Sequence, residues 1–182
     1  EPEFFVKTAD CVIGPGDTIV HDERLAKKLD SETELAIVIG TPGRFIPVER
    51  ALEHVFGYTI VNDVTARDRQ VRRNAQGFTW YELGRGKAFD CSAPLGPCIV
   101  TADEIPDPQR LQVKLWVNGD LKQNYNTSDM AHKIPRCIEW ISSIHTLEPG
   151  DIVATGTNHR GLFGLQDGDK VELEVERCGK LT

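Results

Sequence analysis

Apolar positions in this chain fall in short runs, and several of the runs alternate with polar residues. Val113, Leu115 and Val117 alternate with polar or aromatic residues, and Asn118-Gly119 follows directly. Period two marks a half-buried strand, and Asn-Gly after such a run predicts a hairpin closed by a type I′ turn. Val171, Leu173 and Val175 alternate with Glu172, Glu174 and Glu176 after Asp167-Gly168-Asp169. That pattern predicts a half-exposed strand with a solvated acidic face. Residues 34–39 differ, because Leu35-Ala36-Ile37-Val38-Ile39 is apolar on both faces. They predict a buried strand, stopped by Gly40-Thr41-Pro42-Gly43. Residues 57–61 predict another strand, which delivers Asn62-Asp63. Ala93-Pro94-Leu95-Gly96-Pro97 predicts a turn-rich approach to the apolar run 98–100, and 147–151 turns the chain into a strand at 152–154.

Helical spacing occurs twice. Residues 48–56 place Leu52, Val55 and Phe56 on one side, and residues 135–145 put Ile138, Ile141 and Ile144 near one face with Ile134. Pro135 suits a first helical turn. Strands outnumber helices, so the predicted class is α+β, mainly β.

Composition narrows the partners. The 182 residues fit one domain, and 40% apolar with 27% charged residues is the balance of a soluble globular protein. A net charge of -7 argues against nucleic acid or an anionic membrane as partner. No apolar run approaches the roughly 18 residues of a spanning helix. The five cysteines are scattered and odd in number, without a Cys-x-x-Cys pair. They point away from a disulfide framework or a zinc site and toward a reducing, cytoplasmic setting. Glu1-Pro2-Glu3-Phe4-Phe5-Val6-Lys7 reads like the interior of a longer chain, so an upstream segment is expected.

Glu32 and Glu34 are the first candidates for chemistry. In a strand, residues i and i+2 share a face, about 7 Å apart along the backbone. Acids at that spacing commonly line a solvated face, as expected for Glu172, Glu174 and Glu176. Glu34, however, leads into a run apolar on both faces, where an unpaired carboxylate is costly. A hard divalent cation is one partner that would hold both acids. Asp63, at the end of the next strand, is either a helix cap or a ligand, and Arg67 and Asp68 fit a surface ion pair. Gly84-Arg85-Gly86-Lys87 lacks the spacing of a phosphate loop and reads as a solvated loop. Ala154-Thr155-Gly156-Thr157-Asn158-His159 reads as a turn bonded to its own backbone. His21-Asp22-Glu23 reads as an exposed turn and His159 as a surface residue.

Taken in order, these pieces say more. Glu-x-Glu precedes an apolar strand, then come Asn-Asp-Val-Thr-Ala-Arg-Asp-x-Gln, Gly-Lys-x-Phe-Asp, Pro-Leu-Gly-Pro and Leu-x-Pro-Gly-Asp-x-x-x-Thr-Gly-Thr. The series resembles the fumarylacetoacetate hydrolase family, from Phe4-Phe5-Val6-Lys7 to the closing residues. The resemblance implies a single catalytic domain over residues 1–182, folded as a mixed β-sandwich roll with a few short helices. It implies Mg²⁺ or Mn²⁺ on Glu32, Glu34 and Asp63; three monodentate carboxylates fill half an octahedron, which suits these metals better than zinc. It implies that Lys87, Arg67 and Gln70 hold a substrate carboxylate or oxygen over the metal. Thr157 would bond the substrate carboxylate, and Lys7 would lie near the pocket.

The implied substrate is a small 2-oxo acid, broken or rearranged through a metal-stabilised enolate. Hydrolysis of a C–C bond in an acylpyruvate-like 2,4-dioxo acid is the first expectation. Decarboxylation of oxaloacetate or isomerisation of a 2-hydroxydienoate is the alternative, and a catalytically silent metal-binding relative is the third. In the family the choice often depends on a His–Glu pair upstream of the Phe-Val-Lys stretch. A homodimer is implied by resemblance alone.

Overall fold

The computed structural model describes residues 1–182. The first half of the chain contains β1 (Val12–Ile13), β2 (Leu29–Asp30), β3 (Thr33–Ile39), β4 (Val55–Asn62) and β5 (Thr65–Ala66). Then come α1 (Arg67–Gln70), β6 (Val71–Arg73), β7 (Thr79–Tyr81), α2 (Leu83–Lys87) and β8 (Ala93–Thr101). The second half contains β9 (Gln112–Val117), β10 (Asp120–Asn126), α3 (Ile134–Ile144), β11 (Ile152–Ala154), β12 (Val171–Val175) and β13 (Gly179–Leu181).

One sheet runs β1-β8-β4-β3-β11, antiparallel throughout except where β1 lies parallel to β8. A second, fully antiparallel sheet runs β10-β9-β12-β13. The β9–β10 turn has Asn118 at φ 54° and Gly119 at φ 85°, the two left-handed residues that a type I′ turn requires. The inner faces of both sheets meet in one core. Leu35, Ile37 and Ile39 of β3 and Ile60 of β4 pack there with Leu115 of β9, Leu173 of β12 and Ile138 of α3. Period two then dictates the rest. If the odd residues of β3 face the core, Glu32, Glu34 and Ala36 face the other way. On that second face Ala36, Val61, Ala93 and Cys11 form a small apolar floor.

Three expectations need correction. Residues 48–56 do not form one helix: a 3-10 helix spans Val48–His54, and Val55 opens β4. Of the apolar side that suggested a helix only Val55 packs against the core, and Leu52 and Phe56 are exposed. Pairing of Val55 with Ile39 captures the end of the segment for the sheet instead. Residues 93–97 are the start of strand β8 and not a turn. The β4–β8 register shifts between Tyr58 and Ile60, an irregularity that accommodates Pro97, which has no N–H to donate to the ladder. The acids of β12 are half-buried; Lys170 lies 3.4 Å from Glu172 and Lys180 lies 3.9 Å from Glu174.

All five cysteines are unpaired, and no helix is long and apolar enough to cross a membrane. Gly57 shows how tightly β4 and β8 approach: a Cβ there would lie 2.3 Å from the Val100 carbonyl oxygen. Backbone cannot yield as a side chain does, so Gly57→Ala is expected to cost about 1–3 kcal/mol or more. A lowered urea midpoint with unchanged slope checks it.

Candidate metal and substrate site

The acids are brought together by two neighbouring strands. Glu32 stands just before β3 and Glu34 within it, while Asp63 follows β4. The ladder pairs Thr33 with Asn62 and Glu34 with Val61, and the Asp63 N–H donates to the Glu32 carbonyl at 2.9 Å. Asn62 Oδ1 accepts from Ser31 Oγ at 2.9 Å and from the Glu32 N–H at 3.1 Å, fixing the approach to the strand. One carboxylate oxygen from each of Glu32, Glu34 and Asp63 then lies within 4.8 Å of the others. The three residues are only 2%, 4% and 3% exposed.

Cations are threaded between them. Lys87, the last residue of α2, is 3% exposed, which corrects the expectation of a solvated loop. Its ammonium donates to Glu32 Oε2 at 2.7 Å, Asp63 Oδ2 at 2.6 Å and Thr65 Oγ1 at 2.7 Å. The preceding glycine makes this possible: a Cβ on Gly86 would lie 2.8 Å from Gln70 Cα, so α2 could not settle onto α1. Lys7 is an inward brace. It donates to the Ser92 carbonyl at 2.8 Å, to Ser92 Oγ at 2.9 Å and to the Lys87 carbonyl, and lies 2.9 Å from Asp63 Oδ1. Arg67 is not paired with Asp68. Its Nε donates to Asp30 Oδ2 at 2.7 Å, Nη1 to Gln70 Oε1 at 2.7 Å, and Nη2 to Glu32 Oε1. Asp68 instead accepts from the backbone N–H groups of Lys27 and Lys28.

The loop after β11 closes the other side, and it bonds to the sheet as well as to itself. Gly156, at φ +86°, donates its N–H to Glu34 Oε2 at 2.7 Å. Thr157 Oγ1 accepts from Gln123 Nε2 at 3.1 Å and lies 3.3 Å from the Tyr125 hydroxyl. Gln123 also donates to the Asn158 carbonyl at 2.6 Å and accepts from the Thr33 N–H at 3.2 Å. His159 is at the surface, 72% exposed by side chain, yet its Nε2 is 4.0 Å from Glu32 Oε1. Asp30, Thr65, Ser92, Gln123, Tyr125 and the Gly156 N–H complete the site and were not anticipated. Only Asp30 carried a signal, since it continues the i, i+2 spacing of Glu32 and Glu34 backward.

Electrostatics separates the three acids. Burial pushes the Glu34 carboxyl up to about 8, and the charges of Asp63 and Glu32 add to it. Burial also pushes Glu32 up, but Lys87 and Arg67 outweigh it and hold Glu32 below the usual range. Burial pushes Lys87 down, and Asp63 and Glu32 outweigh it, leaving its ammonium above the usual range. Lys7 ends below its usual value, because burial dominates its pairing with Asp63. Glu34 is thus the acid without a cation of its own. An oxygen-only donor set with one uncompensated, convergent carboxylate fits a hard divalent ion such as Mg²⁺ or Mn²⁺, and each carboxylate keeps further lone pairs to offer it.

Relatives share this frame. The family model described as fumarylacetoacetate (FAA) hydrolase C-terminal matches residues 1–182. The chain is 43% identical over 187 residues to oxaloacetate tautomerase YisK of Bacillus subtilis, spanning 100% of this chain and 60% of that protein. It is 42% identical to 5-carboxymethyl-2-hydroxymuconate delta-isomerase from Mycobacterium smegmatis, whose crystal structure matches with a TM-score of 0.86 over 99% of this chain and 68% of that one. Maleylpyruvate hydrolase from Sphingobium sp. SYK-6, solved with manganese(II) and pyruvate, is 37% identical with a TM-score of 0.86 over 100% of this chain and 63% of its own. With the whole chain matched, and its paired strands bringing Glu32, Glu34 and Asp63 to one point, this protein belongs to the fumarylacetoacetate hydrolase family.

Proposed function

We propose that the chain is the catalytic domain of a divalent-metal-dependent enzyme that enolises a small 2-oxo acid, with keto–enol tautomerisation of a 2-oxo dicarboxylate such as oxaloacetate as its reaction. One observation carries this reading: three buried carboxylates converge within 4.8 Å, and the cations beside them pair with Glu32 and Asp63, leaving Glu34 without one. A Mg²⁺ or Mn²⁺ ion on Glu32, Glu34 and Asp63 would polarise the 2-oxo group and favour the negative charge that develops when a C3 proton leaves.

The chain's own groups supply the surroundings. Lys87 stays an ammonium, since its acceptors are two carboxylates and a hydroxyl, and it adds fixed positive charge in a dry site. Tyr125 donates its hydroxyl proton to the Thr33 carbonyl, and Gln123 donates to Thr157. Thr157 is therefore the donor in its 3.3 Å contact with the Tyr125 oxygen, a long bond whose proton it could give to a substrate carboxylate instead. Arg67 and Gln70 stand behind Glu32 and hold its carboxylate in place.

A second reading is C–C hydrolysis of an acylpyruvate-like 2,4-dioxo acid, favoured by the likeness to the hydrolase solved with manganese and pyruvate. Decarboxylation of oxaloacetate would begin from the same bound acid. Purified protein with Mg²⁺ or Mn²⁺ should exchange the C3 protons of oxaloacetate for deuterium, ahead of any CO₂ release. If only acylpyruvates reacted, releasing pyruvate, the tautomerase reading would give way to the hydrolase.

A further inference from the structure

A cleft of about 280 Å³ lies beside the carboxylate site, between β10 and the loop after β11. Lys122, Tyr125, Asp129, Asn158 and Arg160 are among the residues that line it. Two of them reach both places. The Tyr125 hydroxyl bonds the Thr33 carbonyl at the head of β3, and the Asn158 carbonyl is held by Gln123, which also holds Thr157. Between Asn158 and Arg160, His159 turns back toward Glu32, with Nε2 4.0 Å from Oε1. The cleft thus begins where the mouth of the site ends.

Its charges are arranged for an anion. Arg160 is exposed, and the one hydrogen bond it makes runs from its main-chain N–H to Asn158 Oδ1 at 3.0 Å, leaving the guanidinium unengaged. Lys122 lies 4.7 Å from the Phe163 ring centre and 3.5 Å from the exposed Asp120 carboxylate. Asp129 also lines the cleft, so with Asp120 against Lys122 the cation left without a carboxylate partner is the Arg160 guanidinium. The backbone segments that carry Lys122 and Arg160 are also held against each other. A Cβ on Gly161 would lie 1.7 Å from the Lys122 carbonyl oxygen, so only glycine, here at φ +80°, lets the loop press against β10.

We propose that this cleft receives the far carboxylate of a 2-oxo dicarboxylic acid whose 2-oxo end lies at Glu32, Glu34 and Asp63, with Arg160 and Lys122 as the specificity-determining residues. The proposal rests on the enolisation reading above and adds the substrate's second charge to it. A guanidinium suits a carboxylate because its planar fork can bond both oxygens. A four-carbon 2-oxo acid with a neutral tail would leave the Arg160 guanidinium without a partner.

The test compares oxaloacetate with 2-oxobutyrate in the presence of Mg²⁺, using calorimetric Kd and C3 proton–deuterium exchange, in wild type, R160Q and R160K. R160Q is expected to weaken oxaloacetate binding at least tenfold and to leave 2-oxobutyrate unchanged, with R160K intermediate. K122Q should act in the same direction. If R160Q and K122Q weakened both acids equally, or neither, the cleft assignment would fall while wild-type exchange kept the enolisation reading standing. If wild type bound both acids but exchanged neither, the enolisation reading would fall, and the Kd ratios alone would decide the cleft.

Discussion

Replacing Lys87 with methionine lowers the stability of the metal-free protein by about 3–5 kcal/mol near neutral pH, the usual cost of removing one partner from a buried ion pair. The side chain is nearly isosteric, so packing changes little and the lost charge dominates. Glu32 and Asp63 share this one ammonium at 2.7 and 2.6 Å, and both are buried. The pH window follows from the two shifts. Lys87 is held above its ordinary value of 10.5, so its contribution is complete below that value and lost as pH rises through its folded pKa. Glu32 is held below 4.5, so its contribution is present above that value and lost as pH falls through its folded pKa. At neutral pH both are in force. Urea denaturation at pH 7 measures the loss, and Mg²⁺ should recover part of it by binding the folded state. An unchanged midpoint would mean that the two acids do not depend on Lys87.

Glu34→Gln is expected to do the opposite to the metal-free protein. Glu34 titrates near 8 when folded and near 4.5 when unfolded. Between those values the folded chain keeps a proton that the unfolded chain releases. Stability of the metal-free wild type therefore falls as pH rises from about 4.5 to 8, with a limiting slope near 1.4 kcal/mol per pH unit. Glutamine cannot ionise, so the variant should lack this decline and outlast wild type at pH 8. It should also lose Mg²⁺ affinity, and wild-type affinity should strengthen with pH across the same window, because the ion displaces the Glu34 proton. Melting curves from pH 5 to 9, with and without Mg²⁺, read all of these. A variant that kept the wild-type decline would remove Glu34 as its cause.

The legible parts of the chain were those set by local pattern. The doubly apolar run after Glu34 gave a buried strand, and Asn118-Gly119 gave the hairpin turn. Helix α3 ran from Ile134 to Ile144, one residue short of the expected end. What escaped was set by contacts between distant segments. Lys87 is buried because Gly86 lets α2 close on α1, and no spacing around a Gly-Arg-Gly-Lys stretch announces that. Arg67 turns toward Asp30 because β2 pairs with β5 for two residues, too few to leave a period. Gln123 lies on a polar strand and finds its partners at Thr33 and Thr157, far away in sequence.

The two faces of β3 give the protein a division of labour that chain drift cannot easily undo. A one-residue slip against β4 would turn Leu35 and Ile37 outward and drive Glu34 into the oil. Ion-holding chemistry and foldability are therefore locked to the same register, and a slip loses both. The segment from Gly156 to Gly161 is under no such double bond: Gly156, Thr157, Asn158 and Gly161 are pinned to Glu34 and β10, but His159 and Arg160 between them are exposed. Chemistry that differs between tautomerases, isomerases and hydrolases on this frame is expected to be rewritten there. Exchanging His159 and Arg160 there, with the pinned residues kept, should change what reacts while the melting curve stays where it was.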